Sequence, residues 1–246
     1  MTIQEMHYDF RVKLDKVNSY AQDSFNEVEI DHFLNEATLL FVKQRASIMN
    51  PYRRGLEVSQ KRVDDLRTLV VKSPTTLQPG IPPSVVGPSV FEMPLADLSF
   101  PYLKMIRLTT EIKKKACPNK VVTPDIVSHD DLSEALSDPF QRPDYRWDTV
   151  LMVYAQSTTA NKGSVYFYTD ETFQVTKVFP EYLRRPVRVS LGGYTYLDGT
   201  VAVLTQSDLP EEVHSEMVDI AVSEAARTVE DVQMYQLKQH KLVTHE

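Results

Sequence analysis

Glycine is scarce in this chain, with 7 residues against 15 prolines in 246. Loops that cradle phosphate need glycine for close backbone approach and positive φ, and no glycine-rich phosphate motif occurs, so nucleotide binding loses its usual signature. Cysteine is rarer still. The single Cys117 excludes an intramolecular disulfide and a thiolate metal cage. No apolar run reaches the length of a membrane span, and Met1 to Phe10 mixes Glu5, His7 and Asp9 with apolar residues, unlike a signal peptide. Assembly in a reducing cytoplasm, with no membrane partner, is the expectation. A basic excess is also missing: 27 Lys and Arg against 34 Asp and Glu give a formal charge of −7. Gripping nucleic acid is therefore not the chain's main task, although a surface that DNA merely passes is compatible with that charge.

What is present is an ordinary globular composition, 42% hydrophobic and 25% charged, on a chain long enough to bury a substantial core. The segment that organises the rest is a predicted long helix from about Leu209 to about His240. Ser207 and Asp208 offer N-cap oxygens, Pro210 suits a first turn, and Glu211 and Glu212 oppose the positive end of the dipole. One stripe, Val213, Met217, Ile220, Ala221, Ala225 and Val232, should face a core. A second stripe, Val218, Val222, Ala226 and Val229, widens the apolar surface. Two readings of that second stripe stand side by side: a central helix of one subunit's bundle, or a face that packs against the next subunit of a ring.

At the other end, Glu29 to Ile48 is helical, with Ile30, Phe33, Leu34, Ala37, Leu40 and Phe41 on one face and Asp31, Asn35 and Lys43 away from it. Phe10 to Ser24 reads as a strand or a loosely held arm. Leu56 to Leu69 reads as a shorter helix whose Lys61, Arg62, Asp64, Asp65 and Arg67 form a solvated face. Ser73 to Pro94 is dense in proline, which forbids a regular element and leaves a linker or an extended arm. Strands are expected at Tyr102 to Lys114, Val121 to Val127, Thr149 to Ala155, Ser164 to Tyr168, Phe173 to Phe179, Val187 to Leu191 and Thr200 to Leu204, with a tight turn at Asp198-Gly199. A short helix opens at His129-Asp130-Asp131-Leu132 and closes at Pro139.

The fold class is thus α+β, with terminal helices forming a bundle around a central antiparallel, sandwich- or barrel-like β region. The organisation divides into residues 1–72 (N-terminal arm and helices), 73–101 (proline-rich linker or arm), 102–206 (β-rich region) and 207–246 (long helix and tail).

Chemistry has little to stand on. There is no G-x-S-x-G elbow, and Cys117 precedes Pro118 with no histidine close in sequence. The six histidines, His7, His32, His129, His214, His240 and His245, are dispersed, and His32 and His214 read as surface or capping residues, so no metal is assigned. Asp64-Asp65 and Glu211-Glu212 fall on solvated helix faces or at a helix start, where nothing shifts a carboxyl pKa for acid-base work. No catalytic residue and no cofactor follow. The aromatic residues, from Tyr145 and Trp147 to Tyr194 and Tyr196, suit core packing or subunit contact better than base stacking, since only Arg184, Arg185 and Arg188 interleave with them. Lys113-Lys114-Lys115 reads as a solvated strand end, or as a small patch facing DNA or a partner.

Three stretches then point to a family: Phe33-Leu34-Asn35-Glu36-Ala37; His129-Asp130-Asp131-Leu132 with Asp138-Pro139-Phe140; and Leu209 to His214 with Glu216 to Ala221. Together they resemble virion structural proteins of crAss-like tailed bacteriophages, in particular the ring or head-to-tail connector proteins stacked below the portal. The resemblance spans about Val28 to the C-terminus. It implies a homo-oligomeric ring, twelvefold, around the channel through which the genome leaves, with the portal protein and neighbouring ring or tail proteins as partners and DNA in transit. It also implies a polar tail whose Lys238, Lys241 and Leu242 contact a partner. The competing classes are a cytoplasmic protein-interaction module and an enzyme whose site assembles from distant residues.

Overall fold

The computed structural model describes residues 1–15, 25–46, 60–61, 63–72, 80–156, 163–196 and 199–228. They fall into two compact units: Val70–Arg185, here the β unit, and Met1–Leu69 with Pro186–Glu246, here the terminal unit. The expected class holds, with helices toward both ends and antiparallel sheets curled into a half-barrel.

In the terminal unit, α1 is Ile3–Asp15, which corrects the reading of its Phe10 end as strand or arm; residues 16–24 lie outside the described set. The helix starts on a reciprocal cap. Thr2 Oγ1 accepts from Glu5 N at 3.3 Å while Thr2 N donates to Glu5 Oε2 at 2.8 Å, two orphan donors satisfied together. Ile3, Met6 and Phe10 then recur at helical spacing and are buried. The second helix, α2, is Glu27–Ala46, and Phe33 and Phe41 lie on its buried face. Phe10 stacks on Phe33 at 6.3 Å between centroids, and Phe25 meets Phe33 edge-on at 5.4 Å. Full burial of such a ring stabilises by about 1.5–3 kcal/mol. Leu40, placed on that face from the sequence, is 38% exposed. Of the expected helix at Leu56 to Leu69, residues 60–61 and 63–65 are helical and 66–69 form a turn.

The chain returns to this unit at Pro186. The strands expected at Val187 to Leu191 and Thr200 to Leu204 appear only as isolated bridges, Ser190↔Thr205 and Thr195↔Val201. Gly192 and Gly193, at φ 80° and 82°, turn the chain away before a ladder can grow. A Cβ at Gly192 would lie 2.9 Å from the Leu204 amide nitrogen, so glycine is also needed there for close approach. Asn35 does the work of a strand neighbour, accepting from Val189 N at 2.8 Å and donating to Val189 O at 2.9 Å.

In the β unit, β1 is Val70–Lys72, β2 Ser84–Gly87, β3 Val90–Pro94, β4 Tyr102–Lys114, β5 Lys120–Val122, β6 Asp125–Ile126, β7 Leu151–Gln156, β8 Gly163–Tyr168 and β9 Phe173–Arg184. One sheet runs β1-β9-β4-β5 and the other β2-β3-β8-β7-β6, antiparallel throughout except for the β6–β7 pair. Leu108 and Ile112 of β4, with Phe173, Val175 and Val178 of β9, meet Phe91 and Met93 of β3 and Val165 and Phe167 of β8 in one core. Alternation along β4, where Leu108, Thr110 and Ile112 are buried, is the pleat showing through in burial.

Proline placement explains three departures from expectation. The proline-rich stretch does hold regular structure, because Pro82 and Pro83 precede β2, Pro88 sits in the β2–β3 turn and Pro94 ends β3, where no ladder donor is needed. Pro124 splits the strand expected at Val121 to Val127 into β5 and β6, which join different sheets. Strand β9 runs on through Pro180, which falls between the Ile81↔Val178 bridge and the start of the β1 pairing at Glu181, so its missing N–H leaves no ladder bond unmade. A six-residue helix, α3, Leu132–Ser137, lies where expected.

The last described helix, α4, is His214–Thr228, entered through a 3-10 turn at Glu211–Val213. It packs on both α1 and α2. The expected caps serve elsewhere: Asp208 Oδ2 accepts from Val187 N at 3.2 Å, Ser207 Oγ accepts from Leu209 N at 3.3 Å, and Pro210 occupies the cap position with no side-chain bond.

Candidate subunit-contact site

The terminal unit is fastened by a polar network that begins at Asp31. Placed away from the core by its charge, Asp31 is instead 2% exposed. Three donors make that possible. His7 of α1 meets Oδ1 at 2.7 Å, while Oδ2 accepts from Tyr194 OH at 2.5 Å and Leu191 N at 2.9 Å. Burial pushes this carboxyl up, but the bonds from His7, Tyr194 and Leu191 outweigh it and hold Asp31 below the usual carboxylate range. The Tyr194 hydroxyl moves the other way, raised by burial and by its bond to Asp31. A buried Asp-His pair invites a catalytic reading. Both carboxylate oxygens are held by donors that tie α1, α2 and the 191–194 segment together, and His7 Nδ1 is buried with no partner among the described residues. Among the described residues no group of three His, Cys, Asp or Glu side chains is disposed to hold a metal.

Beside the network lies an open groove of about 650 Å³, lined by Val28, His32 and Asn35 of α2 and by Arg188, Tyr194 and Tyr196. Tyr194 and Tyr196 meet edge to face at 5.2 Å, giving the groove an aromatic wall. His32 is exposed, as expected, and lies 3.5 Å from Glu36.

Two further ties close the helices. Arg45 of α2 contacts Asp65 at 3.2 Å and Glu216 of α4 at 2.6 Å, with its guanidinium 5.0 Å from the Phe41 ring centroid. Asp65, expected on a solvated face, is therefore buried. Burial raises its carboxyl despite the opposing charges of Arg45 and Lys61. Lys13 bridges Asp9 at 2.6 Å and Asp219 of α4 at 3.2 Å. His214, read as a surface or capping residue, is 3% exposed, with its ring nitrogens 3.0 Å from Met1 O and Leu209 O.

Val218, Val222 and Ala226 are at most 1% exposed within the subunit's own bundle. The central-helix reading of that stripe accounts for their burial. Val229, Lys238, Lys241 and Leu242 lie outside the described residues.

The two most exposed aromatic side chains among the described residues are found elsewhere. Phe140 is 96% and Trp147 81% exposed, on a connection tied by short-range bonds. Phe140 N donates to Asp138 Oδ1 at 2.9 Å, Arg146 N donates to Asp144 Oδ1 at 2.6 Å, and Asp144 bridges Thr149. Lys120 ties the far end, bonding Asp148 at 2.6 Å and Tyr145 O at 3.1 Å. Tyr145 itself is buried against Phe173, with its hydroxyl donating to Pro118 O. Sequence reasoning did not separate Trp147 from the buried aromatics around it. The turn residues Pro139, Pro143 and Asp144 that precede it were the available signal.

Among the described residues the helices and sheets bury a core, the polar ties described above close within the subunit, and two aromatic side chains are held out to solvent. Residues 1–233 match the profile of the family described as phage tail ring protein 3/4, the CrAss ring 3/4 family. The chain belongs to that family. It is a structural ring protein of the phage tail, and so a virion component. A search of curated proteins finds no match.

Proposed function

We propose that this chain forms a closed homo-oligomeric ring in the head-to-tail connector, joining the portal to tail components and surrounding the channel through which DNA leaves. The observation that carries the reading is the family match across 1–233. The ring is twelvefold and is assembled in the host cytoplasm before it enters the particle. Its task is mechanical, with no turnover and no cofactor.

Charge supports a passage role. The span 70–185 contains 13 acidic and 13 basic residues, so the whole net charge of −7 belongs to the terminal unit. An acidic ring wall repels phosphate and lets DNA move without being held. Beyond the matched residues, Lys238, Lys241 and Leu242 contact the adjacent ring or the portal.

The deciding experiment is the mass of the purified chain in solution, alone and with portal and neighbouring tail proteins, followed by negative-stain images of any large species. Closed rings, alone or templated by the portal, are the expected result. A monomer that never assembles with any of them overturns the reading. Removing residues 234–246 is expected to leave rings intact and abolish their stacking; unchanged stacking refutes the role of the tail.

A further inference from the structure

Exposed aromatic side chains are costly, because burying a large ring recovers free energy that solvent exposure forgoes. Phe140 and Trp147 are nevertheless the two most exposed aromatic rings among the described residues, and their backbone is bonded in place on both sides. A side chain held out by a rigid turn loses little freedom on docking, the property of an interface anchor. Between them stand Arg142 and Arg146, exposed and without an ion pair among the described residues, while the nearby carboxylates of Asp138, Asp144 and Asp148 are each bonded within the turn or to Lys120. The turn is thus an aromatic knob that carries two exposed arginines, with Asp138 and Asp144 bonded back onto its own backbone.

The groove in the terminal unit has complementary features. Its wall is Tyr194 and Tyr196, its apolar edge is the exposed Val28, and its volume of about 650 Å³ is ample for an indole. Glu27, Glu29 and Glu36 occupy the exposed positions flanking its α2 side. We propose that the knob of one copy docks in this groove of a second copy, with Trp147 against Tyr194 and Tyr196 and with Arg142 and Arg146 against the flanking glutamates. Arg188, exposed in the groove, lies over the incoming indole as a cation–π partner. Knob and groove are unlike surfaces of the chain, which is what a heterologous contact that closes into a ring requires. The inference rests on the ring reading and names its contact.

The test places a photo-crosslinking p-benzoylphenylalanine at Trp147 and irradiates the ring-sized species, with peptide mapping of the adduct. The expected result is a two-copy adduct joining position 147 to residues 25–36 or 188–201 of the second copy. Rings that form but crosslink elsewhere, to another polypeptide, or not at all overturn the docking while leaving the ring reading standing. An unmodified chain that never forms rings fails the ring reading itself, and the docking with it. As a second measurement, Phe140→Ala/Trp147→Ala and Arg142→Glu/Arg146→Glu are expected to keep the parent's melting temperature, because all four side chains are exposed, and to weaken association by about tenfold or more. Unchanged association in either variant refutes the proposal.

Discussion

Replacing Asp31 isolates how much of the terminal unit's stability is polar. In Asp31→Ala, Leu191 N–H, Tyr194 O–H and the His7 ring lose their common acceptor at 2.9, 2.5 and 2.7 Å. A buried donor left unsatisfied costs about 1–3 kcal/mol, and partial entry of water from the adjacent groove tempers the sum of three. The expected loss is about 3–5 kcal/mol, the range for breaking a buried charged pair. Asp31→Asn keeps the shape. Its carbonyl accepts from Leu191 N–H and Tyr194 O–H, while its amide donates to His7 Nε2 in the other tautomer, so the expected loss falls to about 1–2 kcal/mol. At about 2–4 °C per kcal/mol for a chain of this size, alanine should lower the melting temperature by about 10 °C and asparagine by less than half of that. Far-UV circular dichroism in urea, which follows the helices of this unit, reads both variants. A double-mutant cycle with Tyr194→Phe should return a coupling of about 1.5–3 kcal/mol, as for a hydrogen bond to a charged group. Equal losses for alanine and asparagine, or a coupling near zero, would refute the idea that the charge and its three donors hold this end together.

The same carboxylate sets an acid-side signature. With its folded pKa below the usual carboxylate value of 3.8, Asp31 adds stability that is present above that pH and is lost as pH falls through the lower folded value. A urea midpoint followed below pH 4 should drop in the parent and drop less in Asp31→Asn; parallel curves would assign the acid loss to other groups. Arg45→Ala removes the cation that Asp65 and Glu216 share, for an expected cost of about 3–5 kcal/mol by thermal melting, and an Arg45→Met variant that melts as low as the alanine would remove the stem's packing on Phe41 from the account. In the β unit, Gly80→Ala places a Cβ 2.8 Å from the Phe179 ring and 2.9 Å from Val178 O, so a loss of about 1–3 kcal/mol is expected in chemical denaturation, and an unchanged midpoint would show that the Ile81↔Val178 bridge tolerates displacement.

The strand periodicity was the most legible part of the chain. Tyr102–Lys114 matches the expected strand at both ends, because β-branched and apolar residues alternate there without a breaker. Where sequence reasoning failed, it failed through proline and through charge. Density of proline hid β2 and β3, since what matters is whether each proline falls on a ladder donor, and that depends on register. Formal charge misplaced Asp31 and Asp65, whose partners His7, Tyr194 and Arg45 come from 24, 163 and 20 residues away, distances at which pattern reading carries no information. The first helix was missed although Thr2 and Glu5 stand at capping-box spacing and Ile3, Met6 and Phe10 supply the stripe; the signal was local and available. The groove could not have been read at all, since α2 and the 188–200 stretch meet only in the folded chain.

The burial of the second stripe on α4 bears on how such a ring is built. If Val218, Val222 and Ala226 were left for a neighbour, the monomer would carry an open apolar helix face and would depend on its partners to fold. Among the described residues they are enclosed instead by the subunit's own helices, so this face is covered before assembly. A ring of finished subunits is held by side chains that can be exposed in the monomer without unfolding it, which calls for a few anchors on rigid turns rather than a shared bundle. Individually modest contacts suffice, since in a closed ring every copy is held on two sides and loss of one copy breaks two contacts at once. Assembly of this kind is governed by concentration and by a template, whereas folding is governed by the subunit alone, and variants of the knob and of the core should therefore separate the two cleanly.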